Sequence, residues 1–163
     1  MTRMLLVLLI LAAIALSYLG MYRAWQHRVQ TQAALPEPKP PIGGDVVAGP
    51  WRGRYLGATH AGRWLDRVDG HGLGERSLAS VTVTSLGVDI ERENARSIGI
   101  PFAQLTGVRA DTAIAGRAYE DGGIVVLTML LGETPVDLGI RFPDTEDHLA
   151  ALAAIAHHSE VTQ

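Results

Sequence analysis

The 163-residue chain has no cysteine and a single lysine, Lys39. The first absence removes a thiol nucleophile from consideration and agrees with a reducing compartment, although exported proteins without disulfides are also common. The near-absence of lysine weakens any case for nucleic-acid binding. From Asp45 onward ten arginines face sixteen acidic residues, a difference of minus six, whereas nucleic-acid binders carry a basic footprint. No serine stands in a G-x-S-x-G setting, so the strand-to-helix nucleophile turn is missing as well. Gly70, Gly72 and Gly74 in GHGLG have neither the spacing nor the flanking strand and helix of a phosphate-cradling loop, and serve turn geometry instead.

The longest uncharged run is Met4 to Tyr22, MLLVLLILAAIALSYLGMY. As a helix of nineteen residues it would extend about 28 Å, close to the hydrocarbon thickness of a bilayer, and it is expected to span one. Arg3 precedes it, Arg23 and Arg28 follow, and Tyr18, Tyr22 and Trp25 fall at the headgroup level that amphipathic rings favour. A cleaved signal would have a shorter apolar core and small residues at its end, so an uncleaved anchor is expected. Positive charge continues on the C-terminal side through Lys39, Arg52 and Arg54, which predicts that the domain after the anchor is cytoplasmic. The expected organisation is an anchor with its flank over 1–27, a proline-rich linker over 28–50, a domain over 51–157 and a tail over 158–163. Pro36, Pro38, Pro40, Pro41 and Pro50 predict an extended linker, about 3.1 Å per residue, that holds the domain off the membrane.

Within the domain, alternation and turn chemistry predict seven strands: Trp51–Thr59, Ser77–Thr84, Val88–Arg92, Ser97–Ile100, Leu105–Asp111, Ile124–Leu131 and Val136–Phe142. Val81, Val83, Val125, Leu127 and Leu138 are expected in the core. From Asp144 the period changes. Asp144 or Thr145 caps a helix, Glu146 and Asp147 suit its first turn, and Leu149, Leu152, Ala153 and Ala156 form an apolar stripe that would cap the sheet.

Seven antiparallel strands in hairpin order, closed by one helix, make the order of a pleckstrin-homology-like fold. The segments RYLGATHAGRWLDRVDGHGLGERSLASVTVTSLGVDIER, SIGIPFAQLTGVRADTAIAGR and PVDLGIRFPD resemble the PH-like domain of small actinobacterial single-pass membrane proteins, over Trp51 to about His157. The resemblance implies an N-terminal transmembrane helix followed by a mainly-β PH-like barrel with a C-terminal α-helix, and it carries no catalytic residue. PH domains that bind phosphoinositides cluster lysine and arginine around their first two strands. Here lysine is missing and the arginines are interleaved with Asp66, Asp69 and Glu75, which weighs against headgroup binding.

Between the first two strands lies the long glycine-rich loop Thr59 to Arg76. His60, Asp66, Asp69 and His71 are a usable metal set by type, but their spacing fits no established ligand pattern, and turn capping explains them better. Neither a metal nor a cofactor is expected. Trp64, flanked by Arg63 and Arg67, either plugs the barrel mouth or anchors a partner. Arg63, Trp64, Arg67 and His71 are the candidate binding residues. The expected function is a non-enzymatic binding or scaffolding module with a protein partner. Its rivals are a membrane-tethered accessory subunit of a transport or biosynthetic enzyme and a hydrolase using the loop histidines and aspartates.

Overall fold

The computed structural model describes residues 9–23 and 35–161, which fall into two units divided after Ala34. The first unit holds helix α1, residues 9–23, whose apolar side chains, among them Leu9, Ile10, Ile14 and Leu16, are all exposed. Met4 to Leu8, the start of the expected span, lie outside the described residues. No helix among the described residues is long and apolar enough to cross a membrane.

The second unit is a seven-stranded antiparallel sheet, a two-stranded hairpin and a helix. The strands are β1 Val46–His60, β2 Ser77–Thr84, β3 Gly87–Arg92, β4 Ile98–Pro101, β5 Leu105–Asp111, β6 Ala113–Ile114, β7 Arg117–Ala118, β8 Ile124–Leu131 and β9 Thr134–Arg141. The sheet order is β4-β3-β2-β1-β9-β8-β5, and β6 pairs only with β7. Strand β1 is long enough to serve two partners: residues 46–55 pair with β2 and residues 54–60 with β9. The two halves of the sheet face each other across one core, which includes Val81, Ile90 and Ile98 from one side and Leu105, Leu127 and Leu138 from the other. The expected barrel is therefore open, because β4 and β5 are not bonded to each other.

The β6–β7 hairpin covers part of the outer face and builds a second, smaller core from Leu56, Ile114, Ala115, Ile124 and Val126. This explains why IVVLTMLL in β8 lacks a polar alternation. Val125, Leu127 and Met129 enter the main core, while Ile124 and Val126 lie beneath the hairpin. Gly139 of β9 makes the close approach possible, since a Cβ there would stand 2.6 Å from Ile114 Cγ2.

Helix α2, Thr145–Val161, packs on β5, β1, β2 and β8. Asp144 Oδ1 accepts the Glu146 amide at 3.0 Å and starts it. Its buried stripe differs from the expected one. Ala151 and Ile155 are fully buried and Leu152 is half-buried against the core, but Leu149 is 59% exposed. The actual face continues through His148, edge-on to Phe142, and His158, stacked on Phe102. Residues one step apart on a helix differ by about 100°. An alanine-rich helix offers neighbouring stripes of similar apolarity, so periodicity alone does not choose between them.

The described part of the proline-rich stretch is a strap along the domain and not a free spacer. Leu35 is buried in the main core. Lys39 forms a bridge to Gly99 of β4, and Glu37 pairs with Arg96. Buried Asp89 of β3 accepts the amides of Ile42 at 2.7 Å and Gly43 at 3.0 Å. Proline prevents helix here, but the strap's remaining backbone groups still need partners, and the edge of the sheet supplies them.

Candidate functional site: a pinned loop and an arginine basin

The loop from His60 to Arg76 is held by its own backbone. The His60 and Asp66 amides donate to the Asp66 and Arg63 carbonyls at 3.0 and 2.8 Å. The Arg63 amide donates back to His60 at 2.9 Å, and that of Val68, a core residue, to Ala58 at 3.0 Å. The loop is also tied to its surroundings. The Gly62 amide reaches Asp137 Oδ2 at 3.2 Å, and the Gly116 amide, in the turn of the β6–β7 hairpin, donates to the Trp64 carbonyl at 3.0 Å.

The four candidate binding residues occupy different local settings. Exposed Arg63 pairs with Asp66 at 3.2 Å. The Trp64 ring is 44% exposed and lies outside both cores, so it is not the plug of the barrel. Trp64 lines a cleft of about 100 Å³ with Thr59, Gly62, Arg109 and Asp137. Arg67 donates to the Gly74 carbonyl at 3.0 Å and approaches Asp69 at 3.4 Å. His71, at φ 55°, places Nε2 2.7 Å from the Leu35 carbonyl. A carbonyl only accepts, so that nitrogen carries the proton. The loop carboxylates and His71 are thus turned to separate partners, and no group of three or more His, Asp or Glu side chains is positioned to hold a metal among the described residues.

Under the loop, Asp137 of β9 is a buried carboxylate with a full set of donors. Arg109 approaches with Nη2 at 2.8 Å and Nη1 at 3.3 Å, and Thr128 donates at 2.6 Å. Burial pushes this carboxyl up, but the bonds from Arg109, Thr128 and Gly62, with the arginine's charge, outweigh it and hold it below the ordinary aspartate range.

A second cavity on the outer face, about 700 Å³, was not evident from sequence. It is lined by Arg52, Arg54, Arg76, Arg117 and Arg141, with Leu56, Leu78, Tyr119 and Pro143. Strand pairing assembles it, because Arg54 of β1 stands opposite Leu78 of β2 on one side and Arg141 of β9 on the other. The hairpin divides the outer face: Ala113 and Ile114 border the Trp64 cleft, while Arg117 on the return strand borders the basin. Of the acidic residues interleaved with these arginines in sequence, Asp66 pairs with Arg63 and Asp69 with Arg67, and none of Asp66, Asp69 and Glu75 lines the basin. The signal in the sequence was the positive excess of the domain's first quarter, where Arg52, Arg54, Arg63, Arg67 and Arg76 stand against Asp66, Asp69 and Glu75. Arg117 and Arg141 required the register.

A seven-stranded antiparallel sheet followed by a C-terminal helix is the order of a PH-like domain, and the family model described as bacterial PH domain-like matches residues 23–156. The chain belongs to the bacterial PH domain-like family. Neither the curated proteins nor the solved structures give a significant match. PH-like domains are generally binding modules without catalytic function.

Proposed function

We propose that this protein is a single-pass, membrane-anchored module without catalytic activity, whose PH-like domain holds a protein partner on the cytoplasmic side through the loop around Trp64. The observation that carries the reading is the pair Trp64 and Leu65, 44% and 67% exposed, on a loop whose backbone is already fixed by hydrogen bonds. A large ring on a prearranged loop loses little conformational freedom on binding, which is the physical basis of an interface anchor. Arg63 and Arg67 on the same loop, each paired with an aspartate, place polar groups around it. The anchor is supported by the uncharged run from Met4 to Tyr22 and by the exposed apolar surface of α1, since a helix apolar on all sides requires an apolar environment. The cytoplasmic assignment rests on the positive flank at Arg23 and Arg28.

The test is crosslinking with mass spectrometry on native membranes containing the full chain or its Trp64→Ala variant. The expected result is loss of the crosslinked partner with a small change in thermal midpoint. Unchanged crosslinks, or a loss of about 3 kcal/mol of stability as for a buried aromatic residue, would remove Trp64 as the anchor.

A further inference from the structure

We propose that the arginine basin is a binding site for an anion with two phosphate groups. It goes beyond the partner-binding reading, and Arg63, Trp64 and Arg67 take no part in it.

The first argument is electrostatic. Arg54 and Arg141 are directly opposed across β1 and β9, and Arg52, two residues along β1, lines the same basin. Like charges directly opposite on adjacent strands destabilise a sheet. Of the five lining arginines only Arg141 has an acidic partner, exposed Glu120 at 2.6 Å, and none of the others has one among the described residues. The lining contains no Asp or Glu. Four uncompensated guanidinium groups therefore surround one concavity in a chain of net charge −3. A bound polyanion would convert that mutual repulsion into attraction.

The second argument is size and chemistry. A volume of about 700 Å³ lies within the roughly 300–1,000 Å³ typical of small-molecule sites and leaves room for more than one phosphate group. The guanidinium fork matches phosphate oxygens in a bidentate manner. One phosphate monoester carries about −1.5 to −2, so two supply about −3 to −4, enough to balance four arginines. Leu56, Leu78, Tyr119 and Pro143 give an organic portion an apolar wall. The Arg141 guanidinium rests over the Tyr119 ring at 5.5 Å, and Arg76 Nε donates to the Leu56 carbonyl at 3.2 Å, so two of the five are already oriented. The lining has no His, Ser, Thr or carboxylate, and thus no general base or nucleophile from those classes. The basin is built to hold its ligand.

A soluble diphosphate and a diphosphorylated lipid headgroup share this chemistry. The experiment uses the full chain in neutral detergent micelles, titrated calorimetrically with inorganic pyrophosphate and, separately, with geranyl diphosphate, a short-chain lipid with a terminal diphosphate. Wild type should bind at least one of them. Stronger pyrophosphate binding identifies a soluble source, and stronger geranyl diphosphate binding a lipid headgroup. Arg54→Gln should weaken the better ligand by about tenfold or more, equivalent to about 1.4 kcal/mol, while raising or preserving the ligand-free thermal midpoint, because it relieves the opposition to Arg141. Arg63→Gln, on the loop, should bind as wild type does. Should Arg54→Gln fail to fold, Arg117→Gln at the hairpin replaces it with the same expected loss of affinity. Absence of binding by both probes, or undiminished binding by a folded basin variant, would overturn the proposal.

Discussion

Arg109 Nη2 donates to Asp137 Oδ2 at 2.8 Å, and this contact joins an exposed cation on β5 to a buried carboxylate on β9. The same carboxylate receives Gly62 from the loop and Thr128 from β8. Asp137→Asn keeps the shape but turns an amide donor toward donors, and it should cost about 1–3 kcal/mol, read from chemical denaturation. The pH dependence has a definite sign. A carboxyl held below its ordinary value, 3.8, contributes stability that is complete above that value and is lost as pH falls through the lower folded one. Wild type should therefore lose stability more steeply than Asp137→Asn on acidification below about pH 4. Parallel curves would show that the pair does not couple to folding.

The two faces of α2 give opposite expectations. Ile155→Ala should destabilise by about 2–5 kcal/mol, because a fully buried side chain leaves a cavity. Leu149→Ala should fall within about 0.5 kcal/mol of wild type, as exposed substitutions do. Reversed magnitudes would mean that the helix docks through its other stripe.

Membrane topology is open to a paired fusion experiment. A fluorescent reporter that matures in the cytoplasm, placed at the C-terminus, should light up, and an alkaline-phosphatase fusion at the same position should be inactive. The opposite pair would invert the orientation, and a fusion protein recovered without membranes would dismiss the anchor.

The strap should respond to a single carboxylate. Asp89→Ala leaves the Ile42 and Gly43 amides without their acceptor, each worth about 1–3 kcal/mol if no other partner replaces it. Hydrogen exchange at these two amides should accelerate well before exchange in β2 or β8. Equal protection in variant and wild type would show that Asp89 does not hold the strap.

Much of the sheet was legible because strands half-buried on a sheet declare themselves by alternation, as Ser77–Thr84 does with Val81 and Val83 inward. The short pieces Ala113–Ile114 and Arg117–Ala118 were not, since two residues carry no period. Their role comes from covering Leu56 and Gly139, a tertiary relation. The candidate loop was visible through its glycines and Trp64. The basin was not, because its five arginines come from residues 52–141 and converge only once β1 is paired with both β2 and β9. Asp89 and Asp137 each sit between two apolar neighbours at a position that alternation assigns to solvent. Their burial depends on what the strap and the loop bring to them.

Gly99 has a further consequence. It belongs to β4, the last strand of the sheet, and a Cβ on it would stand 2.3 Å from the Pro40 carbonyl oxygen. The bare glycine lets the strap lie directly along an edge that would otherwise present unpaired amides and carbonyls to other chains. Pro38, Pro40 and Pro41 have no amide hydrogen, so the strap itself is a poor template for another strand. The strap thus guards against edge-to-edge aggregation. A soluble version of the domain cut immediately before Val46 would uncover β4 and should self-associate, whereas one that begins ahead of Leu35 keeps both the guard and its buried anchor.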